Sequence, residues 1–468
     1  MNETNSPERP DMNTPPPSRP SVAEIKALFS RRSVWQSWLD VEATLAEVQA
    51  ELGVIPRAAA EEIRRKASFE HVDEQALARD VAVTRAPVLS LSHALAAACQ
   101  GDAGRYVHWG ATTQNVSQTG RTLLMRRAHR AFMARYADLL EKLAGMAERS
   151  ADMLVAGRTN HRHALPITFG FKVAAWIEEF LRHRDRLLGA EPRVFTSLWG
   201  GAIGAMHAFG EHGAEINRRL SSRLGLAPLA VPSRAGTDHV AEYVLLLALF
   251  GASCSKIARE FYALMADEVE EVYEGLGDEV IGSSTMPHKV NSKVAVHVIA
   301  LAARLRAQVP LAFDAVQPTH EGDAANNQML YMLMDGICPL AYELVCGMDD
   351  LLACIRLAPE RMRRNLAATG PFMAAENAMM LLAASMGRAE AHEIVHHAAA
   401  RAVEEDAALV DLLLEQPAVR AAVSEGALRA ALDPSNYTGS SGAMARTMAA
   451  AARAAAAALR RHQAIADA

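Results

Sequence analysis

The sequence is short of cysteine and of any excess of one charge, and it lacks long unbroken apolar runs. Its five cysteines, Cys99, Cys254, Cys338, Cys346 and Cys354, are an odd number without a CxxC or metal-ligand spacing. That pattern supports neither a disulfide framework nor a structural zinc site, and no metal is expected. The thiols read as reduced core residues of a cytoplasmic protein. Net charge is −6, with 48 basic and 54 acidic residues interspersed, which argues against nucleic acid as the main partner. No stretch reaches the roughly 18 consecutive apolar residues of a membrane span, so no membrane partner is expected. No charged-then-apolar segment at the start reads as a secretory signal. β-branched runs are few, and Ala, Leu, Glu, Arg and Met dominate, so a strongly helical chain is expected.

Half of the 468 residues are hydrophobic, enough for a sizeable core. Between 239 and 275, apolar residues recur at Val240, Val244, Leu247, Cys254, Ile257, Phe261, Leu264 and Met265. This spacing predicts one long helix, and such a helix suits a bundle of long antiparallel helices. Similar Ala-rich patterns run over 119–150, 168–189 and 292–356. Glycine and proline cluster at 101–110, 191–210, 225–236 and 276–291, the expected connections. The fold class is therefore all-α. The expected organisation is a disordered tail at 1–20, an N-terminal helical domain at 21–116, a central long-helix bundle at 117–358 and a smaller C-terminal helical domain at 359–468. Apolar residues on more than one helix face imply partner helices from other chains.

The segment Gly282-Ser283-Ser284-Thr285-Met286-Pro287-His288-Lys289-Val290-Asn291 carries the densest chemistry. A serine acts as a base only where its alkoxide is stabilised. Lys289, nearby backbone N–H groups and a closed, dry loop suit that task. The alternative is a polar loop that stops one helix and starts another.

This string resembles the signature loop of the fumarase/aspartase superfamily. The resemblance extends over nearly the whole chain after the first twenty residues. Residues 24–56, with Trp38-Leu39-Asp40-Val41-Glu42-Ala43, look like the opening of its adenylosuccinate lyase and 3-carboxy-cis,cis-muconate cycloisomerase branch. Tyr106-Val107-His108-Trp109-Gly110-Ala111-Thr112-Thr113-Gln114-Asn115 is similar to that branch's first conserved region. Gly157 to Gly170 is similar to its second. Gly387 to His392 and Asp433 to Tyr437 resemble the cycloisomerase-type C-terminus. The resemblance implies enzymes that take a proton beside a carboxylate, expel a group from the next carbon and usually release fumarate. It also implies a homotetramer with a twenty-helix core, active sites shared among three subunits, a small dicarboxylate substrate and no cofactor.

Carried over residue by residue, the resemblance makes Ser283 the base, with Lys289 beside it. Ser284 and Met286 join the substrate-facing part of the loop, and Asn291 suits carboxylate contact or loop shaping. The residue after this asparagine is usually proline; here it is Ser292. His108, Thr112, Thr113 and Asn115 would bind a carboxylate, since hydroxyls and an amide donate hydrogen bonds with little bulk. Their alternative role is to cap the helix beginning near 117. In Thr159-Asn160-His161-Arg162-His163, Asn160 stands where the family carries its acid histidine. His161 or His163 would then supply any proton, and Arg162 would clamp a carboxylate.

Purine-enzyme features are missing elsewhere. Arg79, Gly322 and Val296 replace a histidine, an arginine and a glutamate of those enzymes, while Arg85 matches. Arg79, Arg85, Arg162 and Arg234 suggest a small, multiply anionic substrate; each also suits an ordinary salt bridge. The expected reaction is β-elimination from a 2-substituted succinate. Nitrosuccinate fits the missing acid, because nitrite departs unprotonated. The alternatives are 3-carboxymuconate lactonisation, adenylosuccinate-type C–N cleavage, or a lyase scaffold retired to a structural or binding role.

Overall fold

The computed structural model describes residues 19–277, 279–286 and 288–467. The expected tail therefore lies, apart from Arg19 and Pro20, outside the described residues, as does Pro287. The chain folds as the expected helical bundle. Its longest helices are Thr113–Arg149, Phe169–Val194, Asp238–Leu264, Ala324–Cys354 and Ser441–Asp467.

Two expected helices differ in extent. The stripe expected to run to 275 ends at Leu264. The acidic residues Asp267, Glu268, Glu270 and Glu271 follow, and carboxylates oppose the negative end of a helix. Glu270 adopts a left-handed φ of 50°. The pattern over 292–356 divides into Val294–Arg306, Val309–Ala315 and Ala324–Cys354. Pro310 lies in the first turn of the middle piece, where its missing N–H costs nothing. Asp323 caps the third helix by accepting from the Ala325 N–H at 2.9 Å.

Among the described residues, three small two-stranded sheets punctuate the helices. Leu154–Thr159 pairs antiparallel with Arg162–Thr168. Thr196–Ser197 pairs parallel with Ala227–Pro228. Val272–Glu274 pairs antiparallel with Ile355–Leu357.

The chain forms two compact units, neither contiguous in sequence. Of the described residues, one comprises 19–135, Phe195–Ser233 and Met334–Tyr342. Its core gathers Trp35, Trp38, Leu39, Leu45, Leu91, Leu95, Trp199 and Phe209. The other comprises Tyr136–Val194, Arg234–Leu333 and Glu343–Ala468. There the ring of Phe180 lies 5.8 Å from Tyr136 and 5.6 Å from Phe250, and Trp176 meets Phe261 edge-on at 5.2 Å. Full burial of one such apolar side chain stabilises a fold by about 1.5–3 kcal/mol. Gly251 allows close helix packing, since a Cβ there would lie 3.1 Å from Leu305 Cδ2. A separate apolar cluster in this unit includes Leu382, Val395, Leu409, Leu413, Val419 and Leu428.

The expectation that no segment approaches a membrane span needs correction. Asp238–Leu264, Val294–Ala315 and Ala324–Cys354 are long and apolar enough to cross a membrane by length and composition. The reason is that isolated polar residues do not lower a helix's mean hydropathy far, so an unbroken run is not required. In the first and third, 61% of the most apolar window is buried within the fold; in Val294–Ala315 only 28% is. Leu249, Tyr262, Val296, Phe313 and Met332 all present exposed apolar surface.

Candidate active site

In the first unit, His108 follows a short 3-10 turn, Ala103–Tyr106, and takes a left-handed φ of 61°. Its Nδ1 lies 2.5 Å from Glu42 Oε1, and its backbone N–H donates to Glu42 Oε2 at 3.1 Å. Glu42 is buried and also accepts from the Ser92 hydroxyl at 3.3 Å. Burial pulls the His108 pKa down, but the hydrogen bond and charge of Glu42 outweigh it and raise the pKa above the usual imidazole value. The pair therefore favours an imidazolium. Gly110 has φ 74°, and a Cβ there would meet Phe209 Cε1 at 2.5 Å, so only glycine fits between His108 and the threonines.

Asn115 is fully buried. Its Oδ1 accepts from the Thr112 N–H at 3.1 Å, and its own N–H donates to the Thr112 carbonyl at 2.9 Å. The asparagine thus shapes the start of the Thr113–Arg149 helix, while its buried Nδ2 has no hydrogen-bond partner. Capping at this point uses the Asn115 side chain. Among the described residues neither Thr112 nor Thr113 spends its hydroxyl on it. Arg85 is exposed and ends the Glu74–Thr84 helix in a left-handed conformation.

In the second unit, Asn160 and His161 form the tip of the first hairpin, with φ 50° and 61°. Two positive φ values in a two-residue loop define a type I′ turn, which asparagine tolerates well and histidine adopts more readily than most residues. Thr159, Asn160, His161 and Arg162 are all exposed. Below the tip, Arg158 grips the fully buried Glu271 with two bonds of 2.8 and 2.6 Å. Asn365 Nδ2 donates to Glu271 Oε1 at 2.9 Å. His163, paired in register with Arg158, has Nδ1 at 2.6 Å from Thr369 Oγ1. Burial, then the charge of Arg158, push the His163 pKa below the usual value, against the opposing pull of Glu271. This ring is neutral near pH 7.

The signature segment is stitched to itself. Ser283 Oγ accepts from the N–H groups of Met286 at 3.1 Å and Thr285 at 3.3 Å. The Gly282 carbonyl accepts from Asn291 Nδ2 at 3.1 Å, and the Lys289 N–H donates to the Met286 carbonyl at 3.0 Å. A Cβ at Gly282 would strike the Lys289 carbonyl at 2.5 Å. Ser283 is half-buried, whereas Ser284, Met286 and Lys289 are exposed. A cleft of about 550 Å³ adjoins the loop, lined in part by Asp267, Glu270, Tyr273, Glu274, His288 and Asn291.

Glu274 ends the strand before this loop. Its carboxylate accepts from the Ser292 hydroxyl at 2.7 Å, from Lys293 N–H at 2.8 Å, from Ala295 N–H at 2.9 Å and from Val294 N–H at 3.1 Å. Burial pushes its pKa up, but the Ala295 and Lys293 N–H groups, the Ser292 hydroxyl and the Val294 N–H outweigh burial and hold it below the usual range.

The candidate residues thus rest on three local frameworks, and three glutamates behind them escaped the sequence reading. Glu42 was discoverable as a carboxylate on the apolar face shared by Trp35, Trp38, Leu39 and Leu45. Glu271 and Glu274 had no such signal, because their partners are distant in sequence.

The bundle of long helices thus carries a serine whose hydroxyl accepts N–H groups of its own loop. The sequence matches the lyase family over residues 21–305 and the adenylosuccinate lyase C-terminus family over 371–448. It is 33% identical to the N-acetyl-S-(2-succino)cysteine lyase of Enterococcus italicus, covering 90% of this chain and 92% of the relative. It is 34% identical to the adenylosuccinate lyase of Methanothermobacter thermautotrophicus, covering 90% and 95%. The crystal structure of the 3-carboxy-cis,cis-muconate lactonizing enzyme from Pseudomonas putida superposes with a TM-score of 0.83 at 31% identity, covering 94% and 98%. The chain belongs to the fumarase/aspartase superfamily of lyases.

Proposed function

We propose that this enzyme catalyses β-elimination from a small 2-substituted succinate to release fumarate, with Ser283 as the base. The observation that carries this reading is the environment of the Ser283 hydroxyl, which accepts two backbone N–H groups from its own loop. Donors fixed on an oxygen favour its charged form and need no reorganisation when the charge appears. Ser283 takes the C3 proton. Lys289, Thr112 and Thr113 hold the carboxylate as it gains charge, with Arg85, His108, Arg162, Ser284 and Met286 completing the anion-binding pocket. Asn291 shapes the loop through the bond of its amide to the Gly282 carbonyl, and its second N–H is available for carboxylate contact.

The leaving group departs as an anion. Asn160 has no proton to give as an acid, and burial with the charge of Arg158 holds the His163 pKa below the usual value, which leaves His161 as the hairpin's remaining candidate; an anionic leaving group needs no acid. Nitrite from nitrosuccinate meets this requirement. A thiolate from a 2-succinylated thiol is the second reading, favoured by the relative named N-acetyl-S-(2-succino)cysteine lyase. Assay of fumarate by its ultraviolet absorbance across nitro-, thio- and amino-substituted succinates separates these, with lactone formation from 3-carboxymuconate followed in parallel. Release of fumarate from none of them refutes the reading.

The working enzyme is a homotetramer whose sites combine segments of three subunits. Two features support this. The hairpin tip carrying Thr159 to Arg162 is exposed in the single chain, and large apolar side chains such as Tyr262 and Met332 are exposed on the long helices.

A further inference from the structure

We infer that Glu274 is the positioning residue of the signature loop: its carboxylate ties the loop's exit to the strand at its entrance and thereby fixes Ser283. This rests on the proposed role of Ser283. The Val294–Arg306 helix begins at Lys293, which makes no side-chain cap; an ammonium group has no acceptor to offer the free N–H groups of a first turn. Glu274 supplies that acceptor from across the loop. Both of its oxygens are used, and three consecutive backbone N–H groups plus the Ser292 hydroxyl converge on them at 2.7–3.1 Å. The helix dipole adds to the attraction. Glu274 is itself held in place, because its strand pairs with Ile355–Leu357 and Glu274 stands opposite Ile355.

The tether reaches the catalytic serine in two short steps. Ser292 adjoins Asn291, whose amide holds the Gly282 carbonyl, and Gly282 adjoins Ser283. The unusual Ser292 also gains a purpose. A proline there has no hydroxyl, so serine adds a donor to the clamp.

A helix cap alone and a loop clamp make different predictions. Glu274→Gln removes half the acceptor capacity while keeping the shape. Amide hydrogen exchange over 282–291 in the free protein should quicken by about tenfold or more. With the substrate that releases fumarate, kcat should fall by at least about tenfold while KM changes by less than about threefold. Adding Lys293→Asp to Glu274→Gln supplies a local cap, and Lys293→Asp alone controls for loss of the 3.5 Å contact of Lys293 Nζ with the Gly282 carbonyl. The clamp predicts that amides 294–297 regain protection while 282–291 and kcat stay impaired. Recovery of both in the double variant overturns the inference, as does exchange over 282–291 in Glu274→Gln within about threefold of wild type. Should Glu274→Gln fold poorly by circular dichroism, Ser292→Ala serves instead, with a smaller quickening over 282–291 expected and no change overturning the clamp. The exchange arm needs no substrate, so it reads the clamp even if the proposed elimination fails.

Discussion

Glu271 and Glu274, three residues apart, hold two different parts of the candidate site. Glu271 is buried and binds Arg158 just below the hairpin tip, whereas Glu274 binds the helix start after the signature loop. Glu271 immediately precedes a strand of only three residues, Val272–Glu274, and Glu274 ends it, so one short segment ties both parts of this unit. Glu271→Ala leaves Arg158 without its carboxylate and Asn365 with only the Val269 carbonyl, at 2.7 Å, as acceptor. Loss of one partner from a buried ion pair costs about 3–5 kcal/mol. Urea unfolding should show a destabilisation of that order, and a change below about 1 kcal/mol would mean that the pair carries little.

The pair of His108 and Glu42 makes stability depend on pH in a defined direction. Glu42 raises the folded-state pKa of His108, so the folded protein holds this proton more tightly than the unfolded chain. The stabilisation is fully present below the unfolded value of about 6.5 and is lost as pH rises through the folded value. Glu42→Gln should destabilise the protein at pH 5.5 more than at pH 8.5, pH values that bracket the usual histidine range of about 6.5. The His108 ring resonance followed by NMR should titrate above the ordinary histidine range in wild type and lower in the variant. An identical titration in both would remove the electrostatic role of Glu42.

Subunit mixing checks the shared site. His108→Ala and Ser283→Ala proteins, each inactive alone, should regain part of the wild-type rate after being unfolded together and reassembled. Some mixed sites then contain only intact segments. An active monomer at the assay concentration contradicts the arrangement.

Much of this was legible because the information is local. The stripe from Val240 to Leu264 marked its helix through side chains three and four apart. One contiguous string, Gly282 to Asn291, singled out Ser283 as the candidate base and pointed to the superfamily. The hairpin was missed because its strands are short and its turn uses Asn160 and His161 in place of the Asn-Gly that signals a type I′ turn. Glu271 and Glu274 were missed because their meaning depends on residues far along the chain. The apolar character of Val294–Ala315 was missed by looking for unbroken runs, when a helix needs only a high average.

The identity of the leaving group bears on the hairpin tip. If the group departs as an anion, replacing Asn160, His161 or His163 should slow the reaction only through positioning, by less than about two powers of ten. Asn160→His should not confer adenylosuccinate cleavage, because Arg79, Gly322 and Val296 remain. Wild-type turnover of adenylosuccinate near a common enzymatic rate of about 10 per second would contradict both statements.

The central claim is that Ser283 removes the proton, and the kcat of Ser283→Ala tests it most directly. The measurement is fumarate release from nitrosuccinate, or from whichever substituted succinate the wild-type enzyme cleaves, with Ser284→Ala as the neighbouring control. Removing a group that acts only in the transition state should lower kcat by about three powers of ten or more while substrate binding is largely kept, and Ser284→Ala should lower it far less. If Ser283→Ala instead retains more than about a tenth of the wild-type kcat, a loss of no more than about 1.4 kcal/mol, Ser283 is not the base.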